Sequence, residues 1–194
     1  MLAVAGGKGS SGKTTTALSL ASALVVDCDL DAPNLHLRAG VPRDPGVDAA
    51  NPIATAHEST TVPGVDVLPV GDADGDDLAT TLDTLLESRL TILDCLAGAS
   101  EAAVRPLRVA DSCVVVATDS REGIEDAVKT VAMARADGTP VRAIGVTRAV
   151  AVPTGLADAT AADNVPIPDA TAPLEASETA AAYATLTGYV EPNT

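Results

Sequence analysis

The chain has 194 residues, with 27 acidic against 12 basic side chains and a formal net charge of −15. A chain of this length suits one domain and buries about 70% of the surface its unfolded form exposes, so it needs no covalent staples. Cys28, Cys95 and Cys113 are odd in number and lack Cys-x-x-Cys spacing. This argues against a disulfide framework and against a four-cysteine zinc or iron–sulfur site in one chain, and it fits a reducing cytoplasm.

The first apolar run, Leu2–Ala5, reads as a strand and passes into glycines by Gly6, leaving no room for a signal peptide. Gly7-Lys8-Gly9-Ser10-Ser11-Gly12-Lys13-Thr14 then fits G-x-x-x-x-G-K-[ST], with a helix expected to open at Lys13. About ten residues separate Thr14 from the next strand, Val25–Asp29, so that helix is held to under three turns. Arg38–Pro63 is rich in proline with no clear period and is expected to be irregular or a short helix. Strands follow at Val65–Val70, Leu90–Leu93, Cys113–Thr118, Val141–Thr147 and Val165–Ile167. Between them, Asp76–Ser88 sets Leu78, Leu82, Leu85 and Leu86 on one helical face. Glu122–Ala136 does the same with Ile124, Ala127, Val128, Val131 and Ala134. Apolar strands alternating with helices predict one doubly wound α/β domain over residues 1–194, with a mostly parallel sheet flanked by helices. No apolar run approaches the roughly 20 residues that cross a bilayer, so a soluble cytoplasmic protein is expected.

The glycine-rich loop carries a definite chemistry. Its backbone N–H groups turn inward to cradle phosphate oxygens, and the helix N-terminus adds its positive end. Lys13 is placed to reach the β- and γ-phosphates of a nucleotide, and the Thr14 hydroxyl to ligate Mg²⁺. Asp27 and Asp29 close the strand beside this loop, where a metal and its waters must sit. Leu90-Thr91-Ile92-Leu93-Asp94 has the Walker B form of apolar residues ending in an aspartate.

Lys8-Gly9-Ser10-Ser11-Gly12-Lys13-Thr14-Thr15 resembles the deviant Walker A box, KGGxGKT[ST], of the MinD/ParA/Mrp and nitrogenase iron protein group of P-loop ATPases. Ser10 stands where that group usually has its second glycine. The resemblance implies ATP and Mg²⁺ as cofactors and the whole segment Lys8 to Thr15 as the phosphate cradle. It further implies that Lys8 reaches across an ATP-bound homodimer to the partner's phosphates, as an arginine finger does, and that Asp29 orients the attacking water. Lys8, Lys13 and Asp29 are therefore the expected catalytic residues. Thr14, Asp27, Asp29 and Asp94 are the expected metal residues, Asp27 in the outer metal shell and Asp94 accepting from metal-bound water. Cys95-Leu96-Ala97-Gly98 is similar to the group's DxPAG, with Leu96 for proline, which gives the Gly98 N–H a γ-phosphate contact. Ile144–Arg148 and Val165–Asp169 are similar to its base-side strands, so Arg148 and Asp169 are base or ribose contacts, or else plain strand-end charges. Asp31 faces either a partner or solvent.

The resemblance leaves three branches: a MinD- or ParA-like positioning switch, an ATPase for metallocluster assembly or metal insertion, and an ATP-binding regulator with negligible turnover. Asp27–Leu37 looks like the relatives that carry an inserted ferredoxin domain, yet no cysteine lies between Cys28 and Cys95. Nothing after Arg148 is basic, which argues against the basic lipid-binding helix of bacterial MinD and against direct DNA binding. The reading is thus a slow, MinD-like positioning or regulatory ATPase located by a protein partner. Only Lys8, Lys13 and Lys129 are lysines, and such an acidic, lysine-poor composition resembles that of extreme halophiles. His36 and His57 are isolated, and the cysteines read as packing groups, with Cys95 alone near the chemistry.

Overall fold

The computed structural model describes residues 1–7, 11–20, 24–85, 90–98 and 100–190. Its frame is an eight-stranded sheet. In chain order the strands are β1 (Leu2–Gly6), β2 (Leu24–Cys28), β3 (His57–Glu58), β4 (Asp66–Leu68), β5 (Thr91–Cys95), β6 (Ser112–Thr118), β7 (Val141–Thr147) and β8 (Asp163–Ile167). They lie side by side as β3-β4-β2-β5-β1-β6-β7-β8. Every neighbouring pair is parallel except the edge pair β3–β4.

The helices are α1 (Lys13–Leu20), α2 (Leu35–Ala39), α3 (Gly75–Leu85), α4 (Glu101–Val109), α5 (Arg121–Ala136), α6 (Leu156–Thr160) and α7 (Ser177–Val190). Side chains of a strand alternate between its two faces, and here both faces are buried. One core gathers Ala3, Val26, Leu93, Val115 and Ile144 with Leu82 of α3, Leu107 of α4, Val131 of α5 and Leu156 of α6. The opposite core gathers Val4, Val25, Ile92, Val114 and Ile167 with Leu18 of α1, Leu35 of α2, and Tyr183 and Leu186 of α7. Helices therefore cover both faces, as the run of Val, Leu and Ile through the central strands predicts.

The strand ends fall within two residues of their predicted positions. β5 extends through Asp94 to Cys95, while β4 is only Asp66–Leu68 because Pro69 cannot donate to the ladder. Within the stretch expected to be irregular or a short helix lie the last two residues of α2, a 3₁₀ turn at Pro52–Thr55 and the edge strand β3. Helix α1 has eight residues, inside the expected limit of three turns. Residues 86–89, with Leu86 and Ser88 of the predicted third helix, lie outside the described residues. Ser120 caps α5 by accepting from the Gly123 N–H, and Ser100 caps α4 by accepting from Ala103. Among the described residues no helix is long and apolar enough to cross a membrane.

Candidate functional site

The site is assembled at the C-terminal ends of the central parallel strands. β1 delivers the glycine-rich loop there and must pass close to β6. A Cβ on Gly6 would lie 2.3 Å from the Val116 carbonyl oxygen, so no larger residue fits. The loop re-enters the described structure at Ser11, and Gly12 adopts φ +95°, a left-handed turn open to glycine. From there Thr16 N–H donates to the Gly12 carbonyl and starts α1. The Ser11 hydroxyl and the Lys13 ammonium both donate back to the Gly7 carbonyl, at 3.4 and 3.3 Å. Lys13 is thus folded over its own loop. Lys8, Gly9 and Ser10, each predicted to hold phosphate, lie outside the described residues.

β5 and β2 place two aspartates side by side, since Asp27 is the register partner of Asp94, itself opposite Val4 of β1. Asp27 is 0% exposed and Asp94 3%. Burial, the Asp94 charge and, more weakly, the Asp29 charge push Asp27 up to about 7, against the pull of the Asp29 and Leu35 N–H groups. Burial likewise pushes Asp94 up to about 7, against the Thr14 hydroxyl and the Lys13 ammonium. Those two N–H groups donate to Asp27 at 3.1 and 3.2 Å.

Asp29 is half-buried, and its Oδ1 accepts from the N–H groups of Asp31 and Ala32, at 3.2 and 2.9 Å. Asp31 is exposed. The Thr14 hydroxyl donates to Asn34 Oδ1 at 2.9 Å. Donors here are oxygen alone: a hydroxyl and carboxylates whose mutual repulsion a cation relieves. That set fits Mg²⁺, which takes one or two protein oxygens and fills its octahedron with phosphate and water. It does not form a ready cage, as no group of three or more ligand-type side chains stands together among the described residues.

Beside the loop opens a cleft of about 790 Å³, a common size for a small-molecule site. Ser11, Gly12, Lys13, Thr14 and Thr15 line it together with Arg148 and Asp169. So seven predicted phosphate-, base- or ribose-contacting residues share one cavity. Asp27, Asp29 and Asp94 stand outside its lining, with Asp94 reached through Thr14 and Lys13. Gly98, at φ +102° in the turn after β5, also lies outside it. Arg148 is exposed with φ +56°, a conformation few non-glycine residues adopt.

Three site residues were given no role of their own by the sequence. Thr147 donates its hydroxyl to the Ser11 carbonyl at 2.7 Å, with the Ala117 carbonyl 3.0 Å away as a second acceptor. Its methyl would meet a Cβ on Gly12 at 3.0 Å. Thr147 thereby ties the phosphate loop to β6 and β7. Asn34 receives Thr14. Tyr183 of α7 lines the cleft and lies with its hydroxyl 3.3 Å from that of Thr16. Their partners are backbone carbonyls or residues far along the chain, which no local spacing encodes.

Two outcomes are expected in the nucleotide-free protein. The ordinary Asp value is near 3.8, whereas Asp27 and Asp94 titrate near 7 in the fold. Between about pH 4 and 7 the folded state holds protons that the unfolded chain has released, so the pair removes stability as pH rises through that window. Asp94→Asn should flatten the fall in urea midpoint between pH 5 and 8, and identical slopes in the two proteins would reject the raised values. Thr147→Val should cost about 1 kcal/mol by leaving the Ser11 carbonyl without its donor. Thr147→Ser should restore most of it, and equal midpoints for all three would remove Thr147 as the tether.

Residues 2–158 match the family model described as the CobQ/CobB/MinD/ParA nucleotide binding domain. An uncharacterized ATP-binding protein of Methanocaldococcus jannaschii is 29% identical over 160 residues, which covers 72% of this chain and 61% of the relative. The chain therefore spans under two thirds of that relative's length. Among solved structures, the septum site-determining protein MinD of Pyrococcus horikoshii, complexed with Mg-ADP, superposes with a TM-score of 0.80 at 22% identity, covering 98% of this chain and 95% of the other. The cell division ATPase MinD of Pyrococcus furiosus gives 0.80 at 22%, covering 97% of each chain. At these identities the likeness carries the fold, while the family model carries the membership: the chain belongs to the CobQ/CobB/MinD/ParA nucleotide-binding family, with the P-loop fold of MinD.

Proposed function

We propose that the chain is an ATP-binding and ATP-hydrolysing switch of the MinD type, dimeric when ATP is bound, acting in spatial positioning or regulation. The observation that carries this reading is that Lys13 and Thr14 line a nucleotide-sized cleft and act on Asp94, which is paired in the sheet with the buried Asp27. ATP lies with its phosphates on the loop Lys8–Thr15 and its base and ribose toward Arg148 and Asp169. Lys13 now donates to a neutral carbonyl, and a phosphate oxygen is the stronger acceptor, so nucleotide draws the ammonium off Gly7. Thr14, with Asp94 and Asp27 behind it, would hold Mg²⁺, which would supply neutralisation of phosphate charge. Asp29 orients the attacking water, the Gly98 N–H meets the γ-phosphate, and Lys8 of a second copy completes the charge. A finger of that kind is worth about 10³–10⁵ in rate.

The metallocluster branch fares worse. Cys28, Cys95 and Cys113 are all buried, and burial pushes their thiols up, so none is presented to a cluster shared between copies. With a net charge of −15, the surface favours location through a protein partner over direct contact with DNA or anionic lipid.

Light-scattering mass in molar KCl, with and without ATP–Mg²⁺, tests the dimer: wild type should double with ATP and Lys8→Ala should not. A monomer in every condition rejects the dimeric switch and leaves the non-hydrolysing regulator. Lys13→Ala should abolish ATP binding by calorimetry, and unchanged affinity would overturn the phosphate-loop assignment. Asp29→Ala should keep ATP binding and stop phosphate release, and normal turnover would take Asp29 out of its role.

A further inference from the structure

The segment between Asp29 and Leu35 is held by a directed chain of hydrogen bonds. Thr14 Oγ1 donates to Asn34 Oδ1 at 2.9 Å, Asn34 Nδ2 donates to the Ala32 carbonyl at 3.2 Å, and the Ala32 N–H donates to Asp29 Oδ1 at 2.9 Å. The direction is fixed by chemistry. A carbonyl only accepts, so the Asn34 amide must turn Nδ2 to Ala32 and leave Oδ1 for Thr14, whose hydroxyl must then donate. Asn34 Oδ1 shares the Thr14 hydroxyl with the Asp94 carboxylate as acceptors for its one proton, and the Thr14 oxygen keeps its lone pairs for another partner. Asn34 and Thr14 both line the cleft. At the far end of the segment, the Leu35 N–H is held by Asp27.

We propose that Asn34 is a positioning residue with two linked tasks: it orients the Thr14 hydroxyl as a ligand for Mg²⁺, and it transmits the state of Thr14 to the Asp29 loop. Its acceptor oxygen does the first, and its donor nitrogen does the second. The inference rests on the nucleotide reading above, and it differs from it in assigning the coupling to a neutral amide rather than to a charged group. A partner of this kind behind a metal ligand typically contributes tenfold to a hundredfold in metal affinity.

Two substitutions separate the tasks. Asn34→Ala removes both ends of the amide, whereas Asn34→Asp keeps an acceptor for Thr14 and loses the donor to Ala32. Asn34 is exposed, so neither change opens the core. Full-length wild type and both variants are first titrated with ADP without metal, then with MgCl₂ at saturating ADP. Amide exchange of residues 29–35 is followed with and without Mg–ADP. In wild type, Mg–ADP should slow exchange of this segment. Asn34→Ala should bind ADP alone within about twofold of wild type, bind Mg²⁺ at least about tenfold more weakly, and lose the slowing. Asn34→Asp should bind Mg²⁺ no more weakly than wild type and still lose the slowing. Wild-type Mg²⁺ affinity in Asn34→Ala overturns the first task, and retained slowing in Asn34→Asp overturns the second. Wild type that fails to bind ADP at all rejects the nucleotide reading itself, and this inference with it.

Discussion

In the middle of the sheet Val4, Asp94 and Asp27 stand abreast on β1, β5 and β2, and two of the three are buried carboxylates one strand apart. Removing a carboxylate from water is costly unless its charge is lost or matched. The fold answers in both ways. Each group is pushed up to about 7, and Asp27 collects the Asp29 and Leu35 N–H groups. Those two bonds set where the chain leaves β2 and where it re-enters α2, so the course of the intervening loop follows from satisfying one acid. The repulsion that remains is what a divalent cation beside Thr14 would relieve, which makes the strained pair useful rather than merely expensive.

The same register constrains the other face. The described part of α1 is eight residues, too short a stretch to hold together alone. It persists because Thr16, Ala17, Leu18 and Leu20 are buried against the sheet and against α7. Tyr183 reaches from α7 to Thr16, and the Thr179 hydroxyl of α7 donates to Pro173 and Ala176 carbonyls, fixing the turn before that helix. The last helix of the chain therefore braces the first, and through it the phosphate loop. Thr147 adds a second tether from β7. A loop that must offer its backbone N–H groups to an anion is thus held from two sides by residues distant in sequence.

The sheet and its sense were legible because a buried parallel strand has no polar face: the runs at Leu2–Ala5, Cys113–Thr118 and Val141–Thr147 match β1, β6 and β7 closely. Helices α3 and α5 were legible from one apolar stripe each. α4 was not, since Pro106 sits inside Glu101–Val109 and reads locally as a break, although its Val104 and Leu107 are buried. α7 was not, because alanine and threonine around its whole circumference leave no stripe to count. Edge strand β3 is two residues long and has no pattern at all. At the proposed site, the glycines, Lys13, Thr14, Asp27 and Asp94 stood out because the proposed chemistry needs fixed residue types at fixed spacing. Asn34, Thr147 and Tyr183 act through partners that only folding brings near.

Holding a polyanion is a particular problem for a chain of net charge −15. The long-range field of such a surface opposes the approach of ATP, and only the last few ångströms can favour it. Lys13, Arg38 and Arg148 all line the cleft, so three of the chain's 12 basic residues are spent on one cavity. The start of α1 adds positive potential that falls off within about a helical turn. Such short-range attraction survives where long-range repulsion is screened, at ionic strengths that bring the Debye length to about 3 Å. Salt therefore acts on this site with opposite effect to its usual one. On the proposed function, it weakens the field that would repel the nucleotide and scarcely touches the direct contacts that would hold it.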